Sequence, residues 1–179
     1  VSTQTDADGR YSFEVPAGNV RLRSTRSPDQ IQTTPIVPDE YELTVEADQS
    51  YSDLDFGEAT LPPPTAIDLV PESDRGTADD DDLTNWNNSS TSTALQFRLT
   101  GIATTAEVRL YASDVLIGST TADSSEILLT TDGTTVIPDG VQSITAIQVF
   151  QGVESAFSAP LSIRIDTQPP APIDSVPPL

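Results

Sequence analysis

Asp74, Asp79, Asp80, Asp81 and Asp82 fall within nine residues, with Glu72 just before them and Asn85 just after. Two carboxylates about 4 Å apart repel by roughly 1 kcal/mol in bulk water and roughly 4 kcal/mol at an effective dielectric of 20, so such crowding is costly unless a cation lies between them. An all-oxygen donor set selects a hard ion. Calcium, which accepts six to eight oxygens at about 2.3–2.6 Å in flexible geometry, suits a loop better than magnesium with its tighter octahedron. On this reading Asp74, Asp81, Asp82 and Asn85 are the candidate calcium ligands, and Asp166, from the end of the last predicted strand, either joins them or serves a following joint. The competing reading is a solvated acidic loop whose carboxylates repel and stay mobile. Asp6 and Asp8, two residues apart before Gly9, form a weaker metal candidate. They lack the remaining positions of an EF-hand loop, and a plain hairpin turn competes for the same residues.

Other chemistry is narrowly bounded. The chain has no His, Cys or Lys, so Ser-His-Asp, Cys-His and Lys-based nucleophile systems are excluded, and zinc and haem lose their usual ligands. A paired-carboxylate glycosidase remains formally possible, but short alternating strands give no cleft for one, and the chain reads as a non-enzyme. Eight Arg face 28 acidic residues, a net charge of −20. Such a surface repels nucleic acid and anionic lipid and favours cations. Without Cys there is no disulfide framework from which to read a redox compartment. No apolar run approaches the roughly 20 residues that span a bilayer, and no signal-like segment opens the chain, which reads as part of something longer.

The elements that carry these residues are strands. Apolar content of 36% with 6% aromatics suits thin sandwiches, and helix-forming runs are absent. Tyr11, Phe13 and Val15 alternate with polar residues, as do Val20 and Leu22 after the turn at Pro16–Asn19, which predicts a hairpin; Tyr41–Val45 and Leu54–Phe56 follow as third and fourth strands, with Asp53 and Asp55 facing outward. Four strands over residues 1–58 give a marginal core, so this reads as an incomplete β-sandwich whose missing strands lie elsewhere in the polypeptide or come from another chain by strand addition. Residues 59–64 read as a linker stiffened by Pro62-Pro63-Pro64. Residues 65–168 read as a complete sandwich, with strands at Leu95–Leu99, Ala106–Ala112, Val115–Thr120, Glu126–Thr131, Val141–Phe150 and Leu161–Ile165. The Val141–Phe150 strand is apolar on both faces, so its inward side is undetermined. The motif Pro63–Pro71 returns at Pro169–Pro177 with an offset of 106 residues, about one immunoglobulin-sized sandwich, so residues 169–179 read as a linker and the start of a following repeat.

Two resemblances refine this. Thr5-Asp6-Ala7-Asp8-Gly9-Arg10-Tyr11-Ser12-Phe13, Val15-Pro16-Ala17-Gly18 and Asp53-Leu54-Asp55-Phe56-Gly57 resemble the back half of the B-type repeats of serine-aspartate-repeat and collagen-adhesin surface proteins, which have a prealbumin-like sandwich. Some of those repeats bind calcium, and some carry a Lys isopeptide crosslink that this chain cannot form. Ser73-Asp74 with Gly76, Asp81-Asp82-Leu83-Thr84-Asn85, Val108-Arg109-Leu110-Tyr111 leading to Ile117-Gly118, Asp139-Gly140 leading to Ile144-Thr145-Ala146, and Ile165-Asp166-Thr167 resemble a bacterial Ig-like repeat domain of biofilm and adhesion proteins. Gln151-Gly152-Val153-Glu154-Ser155 departs from the acidic residue and Asn usual near that Gly, which leaves any ligand from that loop in doubt.

Together these imply an all-β, non-catalytic structural or adhesive segment of a large extracellular or cell-surface protein, with calcium stiffening its joints. Its partners would be neighbouring modules of the same polypeptide or filament, or surface glycans or proteins, with no nucleic acid and no membrane insertion. The alternatives are an accessory module of a secreted polysaccharide-degrading enzyme and a filament subunit exchanging strands with its neighbours. Asn87-Asn88-Ser89 and Asn88-Ser89-Ser90 are overlapping glycosylation sequons on a loop. Trp86 reads as a packing residue over the loop rather than a sugar platform, and Arg21, Arg23 and Arg26 as neutralisers of nearby carboxylates.

Overall fold

The structure, a computed structural model, describes residues 1–36, 38–76, 78 and 80–169. Among these residues there are thirteen strands and a single 3₁₀ turn at Thr91–Thr93, and the chain is an all-β protein of sandwich type. It divides into two compact units, Val1–Thr60 and a second from Leu61 onward.

In the first unit β1 (Gly18–Leu22) pairs antiparallel with β3 (Tyr41–Val45), and β2 (Gln30–Thr34) with β4 (Gly57–Thr60). The hairpin predicted between Tyr11–Val15 and Val20–Leu22 does not form; β1 takes β3 as its partner. Tyr11–Val15 is held by its rings instead. Tyr11 stacks on Phe13 at 6.1 Å and meets Phe56 at 6.3 Å, and Phe56 sits edge-on to Tyr41 at 5.3 Å. Leu54–Phe56, expected as a strand, also lies outside any ladder, because Asp53 adopts a left-handed φ of 61° that breaks the extended run. The Tyr11 hydroxyl donates to Leu54 O and the Tyr41 hydroxyl to Asp55 O at 2.8 Å, and pairing begins only at Gly57. The apolar residues buried in this unit are Ile31 and Val45, a small core for the chain it orders. Arg23 pairs with Glu40, and Arg21 reaches Glu40 at 3.6 Å and Glu42 at 3.0 Å, the neutralising role expected of them.

The second unit is two sheets facing one another. The smaller has the order β10 (Glu126–Thr130), β7 (Gln96–Thr100), β5 (Ala66–Leu69), all antiparallel. The larger runs β6 (Leu83–Thr84), β13 (Leu161–Ile165), β11 (Gly140–Phe150), β8 (Glu107–Ala112), β9 (Val115–Thr121), with β12 (Val153–Glu154) hairpinned onto β11. Its pairs are antiparallel except β6 with β13, which is parallel. Period-two alternation delivers one face of each strand to the shared core: Phe97 and Leu99 from β7, Val108 and Leu110 from β8, Ile144 and Ala146 from β11, and Ile163 and Ile165 from β13 are buried together. The β8–β9 hairpin turns at Ser113-Asp114, both left-handed at φ 46° and 71°, as a tight primed turn requires.

The ambiguous strand β11 points Gln142, Ile144, Ala146 and Gln148 inward, and Ile147, though buried, lies outside the core cluster. Fully buried Gln148 donates through Nε2 to Pro62 O (2.7 Å) and Gly101 O (3.2 Å), and its Oε1 accepts the Ala103 N–H at 2.7 Å. This ties the proline segment to the sandwich. Leu61 and Pro64 are buried while Ala59 and Thr60 belong to β4, so the stretch 59–64 is divided between the two units. Pro62, Gly101 and Gln148 mark one end of the second unit. At the other end β5 and β13 finish, β11 begins, and the chain leaves through Thr167 and Gln168.

Candidate functional site

The acidic loop hangs from that second end. After β5 the chain turns back, with the Ser73 and Asp74 N–H groups donating to Val70 O at 2.8 and 3.0 Å. Ser73 Oγ accepts the Gln96 N–H at 2.9 Å, anchoring the turn to β7. This drives Asp74 inward until it is only 4% exposed. Its Oδ2 accepts the backbone N–H groups of Asp81 and Asp82, both at 3.0 Å, so Asp74 is the hub around which the loop closes. Its Oδ1 is buried and has no hydrogen-bond partner among the described residues. A buried acceptor without a partner costs about 1–3 kcal/mol, more for a charged group, and such an atom calls for an explanation such as an ion. The loop also wraps tightly at Gly76, where a Cβ would stand 3.2 Å from Leu83 O, 3.5 Å from Asp81 Oδ1 and 3.6 Å from Ala78 O.

Asp74 and Asn85 line one open depression of about 440 Å³, together with Pro71, Arg75, Gly76 and Trp86. The Arg75 guanidinium lies over the Trp86 ring, 4.9 Å from its centroid. Trp86 also packs against the core cluster, which is the packing role expected of it.

The remaining candidates divide. Asp82, left-handed at φ 57°, does not line the depression, but burial and then the charges of Asp74, Asp68 and Asp81 raise its carboxyl above the usual range. Asp81 places Oδ1 on the Leu83 N–H at 3.2 Å, a local turn contact. Asp166 meets the loop through its backbone, its N–H donating to Thr84 O at 2.9 Å, while its carboxylate accepts the Gln168 N–H at 3.1 Å and lies 4.0 Å from Arg164. Asp79 and the second copy of the proline motif from residue 170 lie outside the described residues. Asp6 and Asp8 are exposed, and Asp6 Oδ1 accepts the N–H groups of Asp8 and Arg10 at 2.9 Å each, the bonding of a capped turn.

Of the candidate ligands Asp74 and Asn85 line the same depression, and they are the residues that could offer oxygens to a calcium ion there. Among the described residues no three acidic side chains converge as a cage, so carbonyls and water would complete the shell.

Three polar arrangements had no signal in the linear pattern. Asp68, on β5, contributes to the field at Asp82, across the length of the loop from it. Asp139 accepts from the Thr167 hydroxyl at 2.9 Å and from Gln168 Nε2 at 3.4 Å, clasping the departing chain; the Thr167 hydroxyl first, then Gln168, holds its carboxyl below the usual range. Burial opposes the charge of Asp132, but hydrogen bonds from the Thr135 hydroxyl, the Thr135 and Thr134 N–H groups and Asn88 outweigh it and hold that carboxyl well below the usual range.

The chain matches no family model, and no curated protein matches it. No helix among the described residues is long and apolar enough to cross a membrane.

Proposed function

We propose that the chain is a non-catalytic structural segment of a larger extracellular or cell-surface protein, in which the second unit is an Ig-like module that binds calcium in the Asp74 loop and so fixes the direction in which the chain leaves it. The single observation that carries this is the buried Oδ1 of Asp74, without a hydrogen-bond partner among the described residues, within an acidic loop at the exit end. Asp74 and Asn85 supply oxygen ligands from the depression, and Asp82 lies in the field that a divalent ion would neutralise. The Ig-like assignment is supported by the strand order: the leading segment is split between the sheets, β5 antiparallel to β7 and β6 parallel to β13, while the β8–β9 hairpin extends the far edge of the larger sheet. The relation of the first unit to B-type repeats rests on its sequence motifs.

Mechanically, an ion shared by residues 74–85 would tie the loop to the β6–β13 pair, whose backbone continues directly into Asp166 and the clasped Thr167. Binding to the folded state alone stabilises it by mass action. The test is thermal unfolding of the chain with calcium and with chelator. A higher melting temperature in calcium is expected; an identical value in both would overturn the proposal.

A further inference from the structure

Two acceptor sequons overlap at Asn87-Asn88-Ser89 and Asn88-Ser89-Ser90, and the fold separates them sharply. Asn88 is 0% exposed and left-handed at φ 57°. Its Nδ2 donates to Asp132 Oδ1 at 2.9 Å and Thr135 O at 3.0 Å, and its Oδ1 accepts the Thr131 hydroxyl at 2.6 Å and the Gly133 N–H at 2.7 Å. A carboxamide has two donors and two acceptor sites, so Asn88 is fully committed and has no room for a substituent. Asn87 is half-buried; its Oδ1 accepts the Ser89 N–H at 3.2 Å, and its Nδ2 has no protein partner among the described residues. Ser89, Thr91 and Ser92 beside it are exposed.

We propose that Asn87 is the acceptor of an N-linked oligosaccharide and that Asn88 is not. The donor is a lipid-linked oligosaccharyl diphosphate. The bond from sugar C1 to the diphosphate oxygen breaks as the bond from Asn87 Nδ2 to C1 forms, the lipid diphosphate leaves with the electron pair, and one amide proton passes to a base of the transferase, with no change of oxidation state. Ser89 supplies the hydroxyl at the second position after the acceptor, and the bulky product belongs on a surface loop of an exported chain. The inference therefore shares the premise of export with the function proposed above, but not the premise of calcium.

The test is mass spectrometry, with fragmentation that localises the glycan, of the full chain isolated from its own cells and cleaved at Arg75 and Arg98. Ser89→Ala deletes the sequon of Asn87 and leaves that of Asn88; Ser90→Ala does the reverse. Glycan mass on Asn87 in the wild type and in Ser90→Ala, lost in Ser89→Ala, is the expected result. A bare peptide in the wild type, a glycan on Asn88, or glycan persisting in Ser89→Ala overturns the inference. A bare Asn87 in a chain that still gains stability from calcium overturns this inference alone.

Discussion

Asp74→Asn separates the loop-closing role of this residue from its proposed role as an ion ligand. The carboxamide keeps an oxygen for the Asp81 and Asp82 N–H groups, while the charge and the free Oδ1 are lost. In chelator the substitution also relieves repulsion at Asp82, so the change in stability is expected within about 1 kcal/mol. Calcium at a hundred times its dissociation constant stabilises a one-site protein by about 2.7 kcal/mol. With an unfolding entropy of roughly 2.1 cal/mol/K per residue, the roughly 110 residues of the second unit lose about 0.23 kcal/mol per degree, so saturation should raise the wild-type melting temperature by about 12 °C. Calorimetry of both proteins with calcium and with chelator measures this directly. The increment is expected in the wild type and absent in Asp74→Asn. An unchanged wild-type melting temperature, or an increment that survives the substitution, refutes the reasoning.

Four further outcomes follow from the same contacts. Asp6→Asn and Asp8→Asn should leave the calcium increment intact, since Asp6 is occupied in capping its own turn; loss of the increment in either would move the ion site to the first unit. Gln148→Ala strips partners from the Ala103 N–H and from the Pro62 and Gly101 carbonyls, which should cost about 2–4 kcal/mol, read as a lowered urea midpoint. Phe97→Ala, at a fully buried site between the sheets, should cost about 3–5 kcal/mol in the same assay. On acidification two carboxyls act with opposite sign. Asp132, held low, contributes stability above its unfolded pKa of about 3.9 that is lost as pH falls through its folded value, whereas Asp82, held high, contributes stability at low pH that is lost as pH rises through its own. Asp132→Asn should therefore melt with a shallower fall below about pH 4 than the wild type.

Strands that bury one clean face were legible in the sequence. The alternation at Ala106, Val108, Leu110 and Ala112 places all four in the core, and the turn at Ser113-Asp114 lies where its residue types put it. Strand β11 was legible as a strand but its inward face was not, because it is apolar on both faces and two of its inward positions are glutamines, Gln148 finding its partners at Pro62, Gly101 and Ala103 and Gln142 at Ser113 and Pro138. In the first unit β2 and β4 offer almost no apolar alternation, Gln30-Ile31-Gln32-Thr33-Thr34 against Gly57-Glu58-Ala59-Thr60, so their pairing is tertiary in origin. The aromatic alternation at Tyr11–Val15 marks a stacking cluster rather than a ladder. At the candidate site residue type and spacing put forward Asp74, Asp81, Asp82, Asn85 and Asp166 alike, and only the fold groups Asp74 with Asn85 along one depression. The inward turn of Asp74, fixed by Ser73 against Gln96 of β7, and the contribution of Asp68 to the field at Asp82 had no counterpart in the linear pattern.

The most direct test of the account uses Trp86, the only tryptophan of the chain, which lines the same depression as Asp74 and Asn85. Terbium, a luminescent stand-in for calcium, should show emission sensitised by indole excitation, displaced by calcium and lost in Asp74→Asn. Absence of sensitised emission, or emission that persists unchanged in Asp74→Asn, would contradict the placement of an ion in this loop.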